Sequence, residues 1–161
     1  MASSESTLAT CTGSVGMPDE NVKPTGTIIA FDFGYRRIGV AVGQTITGSA
    51  TPLAVVMVTN QPDWQAISVI IKEWKPAAIV VGLPIDKDGG ETELSRAARR
   101  FGRRLHGRFG LPVSFEDERL TSVSAEQRFV DARARGEMRR KDAAFKDAIA
   151  AQIILENWLL A

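Results

Sequence analysis

Residues 28–43 read IIAFDFGYRRIGVAVG, and this stretch decides the fold. Residues 27–33 are apolar and β-branched, which predicts a buried strand. Residues 34–37 form a tight connection, and residues 38–42 predict a second strand that pairs with the first as a hairpin. Asp32 breaks the apolar pattern, because a carboxylate on a central strand costs free energy unless a partner compensates for it. Asp32 therefore either accepts hydrogen bonds from the backbone N–H groups of the turn that follows it or belongs to a reaction centre.

The pattern changes after the hairpin. A third strand is predicted over 50–58, where Pro52 favours an edge position or a β-bulge. The elements expected next are a helix from the N-cap Asp63 to Pro76, a strand over 77–82, a helix over 91–109 stopped by Gly110, a strand over 112–116, a helix from Thr121 or Ser122 to about 134, and a final helix over 142–160. A meander followed by helix–strand alternation predicts an α/β domain with a mixed five-stranded sheet, three strands antiparallel and two parallel, flanked by helices.

The length and composition favour one soluble domain. The chain has 161 residues and a formal net charge of +1, which neither favours nor excludes a nucleic-acid partner. Residues 1–26 are rich in Ser, Thr and Gly and lack the pattern of a secretory signal, so we expect a flexible tail before a folded domain at 27–161. No apolar run is long enough to span a membrane, and a cytoplasmic protein without a membrane partner is expected.

The single cysteine and single histidine limit the chemistry. Cys11 alone excludes an internal disulfide and a cysteine-ligated zinc site. A histidine triad would depend on His106 alone, which lies among arginines and is predicted to be a surface residue. The carboxylates are therefore the better candidates for a reaction centre.

Carboxylates are predicted to gather where the strands end. Asp32 ends the first strand, Asp117 and Glu118 follow the last, and Asp147 precedes a run of small residues that would let the final helix approach the sheet. Such a set offers hard oxygen ligands, which suit Mg²⁺ or Mn²⁺, and two such ions can promote phosphodiester cleavage. Each residue also has a structural explanation, since Asp147 alone would favour the positive end of a helix dipole.

Arginines cluster in two stretches of the chain. Guanidinium groups match phosphate oxygens, although a solvated helix face explains such a cluster equally well. The first cluster is Arg96, Arg99, Arg100, Arg103, Arg104 and Arg108, and the second is Arg133, Arg135, Arg139, Arg140 and Lys141.

Four ordered motifs, FDFGYRRIGVAVG, VVGLP, EDERLTSVSAE and KDAAFKDAIAAQIILENW, resemble the YqgF family, also called RuvX. The resemblance covers the chain from Thr27 to its end. It implies an RNase H-like fold and a nuclease that acts on pre-16S rRNA or on Holliday junctions. It also implies a metal site of Asp32, Glu118 and Asp147, with Asp117 as the less certain neighbour of Glu118, while Asp142 is an N-cap.

Cationic residues would hold the flanking phosphates in this interpretation. The expected set is Arg36, Arg37, Lys87, Arg100, Arg104, Arg119, Lys141 and Lys146. The expected partners are pre-rRNA or branched DNA, together with ribosomal precursor particles, for a monomer or a homodimer. The loop over 82–90 leaves a strand end and is a further candidate for substrate contact.

Two other function classes stay open. A binding module of the same fold would hold nucleic acid without cutting it. A phosphotransferase is the other alternative, because the Asp32–Gly34 hairpin also resembles the first phosphate loop of the sugar kinase, actin and Hsp70 superfamily. Those proteins enclose ATP between two such domains, and this chain has room for one.

Overall fold

The hairpin predicted from residues 28–43 lies at the centre of the sheet. In the computed structural model, which describes residues 24–84, 90–117 and 146–160, β1 (Thr27–Asp32) pairs antiparallel with β2 (Arg37–Gln44). Ile28 lies opposite Gly43, and Asp32 lies opposite Gly39. The register therefore places the Asp32 carboxylate beside a strand position without a side chain.

The remaining strands extend the sheet on both sides of this pair. β3 (Ser49–Met57) pairs antiparallel with β2, while β4 (Ala78–Leu83) pairs in parallel with β1 and β5 (Val113–Asp117) pairs in parallel with β4. The strand order is β3-β2-β1-β4-β5. The predicted mixed five-stranded sheet is confirmed, with its antiparallel and parallel parts in the expected order.

The two alternatives for Pro52 are both confirmed. β3 is an edge strand, where a residue without an N–H is tolerated. The pairing shifts from Val40 opposite Ala54 to Ala41 opposite Pro52, so Leu53 is the extra residue of a bulge.

Three helices lie within the described residues, and their caps explain their bounds. α1 (Trp64–Trp74) begins after Asp63, whose side chain accepts a hydrogen bond from the Ala66 N–H at 3.2 Å, as predicted. α2 (Glu93–Phe109) begins two residues later than predicted, and it ends at Gly110 as predicted, at a φ of 67°. α3 is Lys146–Leu160. None of the three is long and apolar enough to cross a membrane.

The helices divide between the two faces of the sheet. α1 and α2 cover the face that carries Phe31 and Ile79, where Phe31 and Phe101 meet edge to face with their ring centres 5.5 Å apart. α3 covers the other face and packs Ile154 against small and aliphatic residues of the strands. Successive residues of a strand point to opposite faces, so this division assigns a face to every strand residue.

Several sequence predictions fall outside the described residues. They are residues 1–23 of the predicted tail, residues 85–89 of the predicted substrate loop, the helix after Thr121, the Asp142 N-cap and the second arginine cluster. His106 lies on the surface as predicted, and its Nδ1 is 2.9 Å from the Leu111 carbonyl oxygen.

Ile154→Ala tests how much α3 contributes to the fold. The Ile154 side chain is fully buried between α3 and the sheet, so its truncation leaves a cavity and is expected to cost about 2–5 kcal/mol of unfolding free energy. Leu160→Ala is the matched control, because Leu160 is 81% exposed in the same helix and its loss is expected to cost less than about 0.5 kcal/mol. Urea unfolding of both variants checks this, and equal midpoints would contradict the docking of α3.

Candidate active site

Asp32 lies at the carboxyl end of β1 on the face covered by α3. Ile28 and Ala30 belong to the core between the sheet and α3, and alternation along β1 puts Asp32 on the same face. The residue is half-buried and has an interaction partner. Its position at a strand end is the one that the sequence predicted for a reaction centre.

Asp147 approaches this strand end through a backbone contact with β2. A Cβ placed on Gly39 would lie 1.8 Å from the Asp147 carbonyl oxygen, so the first turn of α3 sits directly on that glycine. Gly39 is the antiparallel partner of Asp32, and such partners have Cα atoms about 4.5–5.5 Å apart. The fold thus places the backbone of Asp147 beside the strand pair that carries Asp32.

The Asp147 carboxylate is oriented by Arg37. The Nε of Arg37 donates to Oδ2 of Asp147 at 2.8 Å, which links the first residue of β2 to the first turn of α3. Both side chains are partly exposed, and such pairs contribute only about 0–1 kcal/mol to stability. The main consequence is therefore positional: one carboxylate oxygen is held by Arg37, a residue predicted to contact phosphate.

Glu116 is an acidic residue that the sequence analysis did not single out. Phe115 packs on the α2 side of the sheet, so alternation puts Glu116 on the α3 side with Asp32. Gly82 lies between them, since it pairs with Glu116 and follows Val81, the partner of Phe31. With two strand spacings, the Cα atoms of Asp32 and Glu116 are about 10 Å apart. The sequence could have indicated Glu116 through the alternation of β5, because Phe115 is apolar and its neighbour Glu116 must face the opposite side of the sheet.

The predicted ligand Asp117 has a different orientation. It pairs with Leu83, which belongs to the core under α1 and α2, and alternation puts both on the face opposite Asp32. Glu118, Arg119, Lys87 and Lys141 lie outside the described residues. Among residues 24–84, 90–117 and 146–160, no three His, Cys, Asp or Glu side chains form a group that could hold a metal ion. The three-carboxylate ligand set therefore stays a prediction.

Among the described residues, the first arginine cluster separates into members that make polar or ring contacts with other side chains of the protein and members that do not. Arg104 donates to the Gln61 Oε1 at 3.1 Å and stacks 4.8 Å from the Trp64 ring centre, and Arg108 lies 4.2 Å from the same centre. Arg99 pairs with Glu91 and lies over the Phe115 ring. Within the described part of the chain, three exposed members of the cluster have neither an acidic partner nor a ring contact: Arg96, Arg100 and Arg103. The helix face is thus partly structural and partly available.

Two predicted phosphate contacts lie close to the carboxylates. Arg36 is exposed in the connection between β1 and β2, next to Arg37. Lys146 begins α3, directly before Asp147, and has an interaction partner. Gly34 shapes the connection, because a Cβ there would lie 2.6 Å from the Arg37 carbonyl oxygen. Gly82 lies within β4, where the sequence predicted the end of a strand.

A family model described as "RuvX: Holliday junction resolvase" matches residues 26–161. The "Putative pre-16S rRNA nuclease" of Hydrogenovibrio crunogenus is 51% identical over 135 residues, which cover 83% of this chain and 93% of the relative. The protein of the same name from Azotobacter vinelandii is 50% identical over 133 residues, which cover 82% of this chain and 92% of the relative. The predicted family resemblance is confirmed.

The fold is similar to that of a solved RuvC structure. That structure is "T. thermophilus RuvC in complex with Holliday junction substrate", with a TM-score of 0.51 and 18% identity, and the match covers 80% of this chain and 91% of that one. The predicted RNase H-like fold is confirmed by this likeness.

Gly39→Ala tests the contact that brings α3 onto β2. The added methyl group would meet the Asp147 carbonyl, and no side-chain rotation relieves a clash with backbone, so we expect a loss of about 3 kcal/mol in unfolding free energy. Gly107→Ala is the control, because Gly107 is exposed in α2 with open space around it and is expected to gain about 0.5–1 kcal/mol. Chemical unfolding measures both, and an unchanged Gly39→Ala midpoint would refute the close approach.

Proposed function

The chain belongs to the RuvX family, and we propose that it is a metal-dependent nuclease that hydrolyses phosphodiester bonds in processing the 5′ end of pre-16S rRNA. The observation that carries the proposal is the placement of Asp32 and Asp147 around Gly39, at the strand ends where the family resemblance puts a carboxylate site. The names of the relatives support the substrate. We propose that the protein acts in the cytoplasm on ribosomal precursor particles. It would act as a monomer or a homodimer.

The carboxylates fit Mg²⁺ or Mn²⁺. Asp32 and Asp147 offer hard oxygen donors, and the one histidine of the chain, His106, lies near the end of α2 and contacts Leu111. Asp32, Asp147 and Glu118 would hold the ion, and Asp117 is less suited because its strand position faces the other side of the sheet. Such an ion activates water and stabilises the leaving oxygen in phosphodiester cleavage.

The cations of the β1–β2 connection would offset the negative charge of the site. Carboxylates repel a phosphate backbone, and Arg37 balances one of them through its 2.8 Å contact with Asp147. Arg36 is exposed beside it and is the better placed of the two to contact a substrate phosphate.

Holliday junction cleavage is the second candidate. The description of the matching family model favours it. A four-way junction is two-fold symmetric, so this activity would require a dimer that cuts two strands. The same carboxylates would serve either substrate, and the cleavage experiment includes both.

Asp32→Asn is expected to abolish cleavage without unfolding the protein. Partners that only support a metal ligand cost about 10–100-fold when removed, so loss of a ligand itself is expected to lower the rate by about a hundredfold or more. The measurement is cleavage of a pre-16S rRNA 5′ fragment and of a synthetic four-way junction with Mg²⁺, with Mn²⁺ and with chelator.

Asp63→Asn is the control for that experiment, because Asn is an equally good N-cap at the exposed start of α1. Cleavage of the RNA alone, lost in Asp32→Asn and kept in Asp63→Asn, supports the proposal. Cleavage of the junction alone moves the function to resolution of branched DNA. Binding of either substrate with no cleavage under any metal condition would make the protein a binding module.

Arg36→Ala is expected to weaken RNA binding through the loss of one phosphate contact. The slope of log affinity against log salt concentration should fall in magnitude by about 0.7 for a single strand and about 0.9 for a duplex. Lys72→Ala is the control, because Lys72 is an exposed cation in the last turn of α1, just before Ala77, whose N–H donates to the carbonyl of Thr27 at the end of β1 away from Asp32. Titrations over a range of salt concentrations measure the slopes, and equal changes in both variants would argue against a local phosphate contact.

A further inference from the structure

A groove opens on the face of the sheet opposite Asp32. It has a volume of about 300 Å³ and lies between the β1–β2 connection, the segment after β3 and one side of α2. Its lining residues are Phe33, Tyr35, Val58, Thr59, Asn60, Gln61, Pro62, Ala97, Arg100, Phe101 and Arg104. The lining contains two arginines and no acidic residue, so the described part of this groove favours an anionic ligand.

Tyr35 presents an aromatic surface at this groove. Tyr35 is 56% exposed. Phe33 supports the ring edge to face, with the ring centres 6.4 Å apart, and Phe33 in turn contacts Phe101 at 5.1 Å. Among the described residues the Tyr35 hydroxyl has no hydrogen-bond partner. The Tyr35 ring is therefore supported by Phe33, while part of the ring stays exposed to solvent.

Polar groups at the groove match the rest of a nucleotide. Arg100 is exposed and has no acidic partner within the described residues, so its guanidinium is available for a phosphate. Asn60 is exposed and also lines the groove, and its amide can donate to and accept from the edge of a base. Arg104 is already engaged by Gln61 and Trp64 and completes the positive wall.

We propose that this groove binds one unpaired nucleotide of the substrate, with the base stacked on Tyr35 and its phosphate held by Arg100. The inference rests on the proposed nuclease function and deepens it. Bases that are not paired can leave the stack and lie on an aromatic side chain, whereas the bases of a duplex cannot. Phe33 directly follows Asp32, so the groove and the carboxylate site lie on opposite faces of the same strand end. The site thus selects a single-stranded segment next to the cut.

The test measures binding in chelator, where no cleavage is required. The probes are a short labelled RNA strand, the DNA strand of the same sequence and the RNA as a blunt duplex, followed by fluorescence anisotropy. Tyr35→Leu is expected to weaken single-strand binding roughly tenfold, the size of one lost base–aromatic stack, and to leave duplex binding unchanged. Tyr35→Phe keeps the ring and should bind as the wild type does.

Two matched controls accompany these variants. Ile46→Ala removes another exposed apolar side chain, in the turn between β2 and β3, and should leave single-strand and duplex binding unchanged. Arg100→Ala should weaken single-strand binding and lower the magnitude of the salt slope by about 0.7. Arg103→Ala, an exposed arginine of α2 that does not line the groove, should do neither.

The outcomes separate this inference from the proposed function. Tyr35 dependence in either single strand supports the site, and the strand that shows it identifies the source of the base. Equal losses on single strand and duplex, or no loss in Tyr35→Leu, overturn the inference even if metal-dependent cleavage is intact. If the wild type cuts nothing but binds single strands through Tyr35, the site stands and the nuclease proposal falls.

Discussion

The contact between Gly39 and the carbonyl of Asp147 is the constraint on which the candidate site depends. A helix can approach a sheet this closely only where the strand has no side chain, because even one methyl group would overlap the helix backbone. Gly39 is also the antiparallel partner of Asp32, so the residue that α3 contacts lies directly beside Asp32. Arg37, two residues earlier on the same strand, then holds the Asp147 side chain. One short strand segment thus sets both the position and the orientation of Asp147.

The two faces of the sheet carry different residue types at the carboxyl end of β1. Asp32 points toward α3, and the next residue, Phe33, points toward α2 and supports Tyr35. Alternation along β1 is enough to produce this division, since neighbouring residues face opposite sides. A substrate strand that passes across the carboxyl end of β1 would therefore meet an aromatic and cationic surface on one face of the sheet and carboxylates on the other. The same connection supplies Arg36, so the proposed recognition and the proposed chemistry would depend on a few consecutive residues.

The strand pattern was readable from the sequence because hydrophobic runs and turns are local signals. The hairpin, the Pro52 bulge and the Gly110 stop each depend on a few neighbouring residues, and the structure confirms them. The start of α2 was predicted too early, because Thr92 and Ser95 form a capping box without the usual Glu or Gln at its third position. The contact of Arg37 with Asp147 spans 110 residues, and no local pattern indicates it.

Charge distribution on α2 shows why arginine counts alone are a poor guide to binding. Arg99, Arg104 and Arg108 cover the rings of Phe115 and Trp64, and their stems shield apolar surface while their charges stay near solvent. These residues stabilise the packing of α2 whether or not a polyanion is present. Only cations without such a role can release counterions from a phosphate backbone without giving up a contact of their own. Among the described residues, Arg36 and Arg100 are exposed cations without such a role near the strand end that carries Asp32. For the proposed binding of a nucleic acid, the position of these two cations relative to Asp32 therefore matters more than the total positive charge.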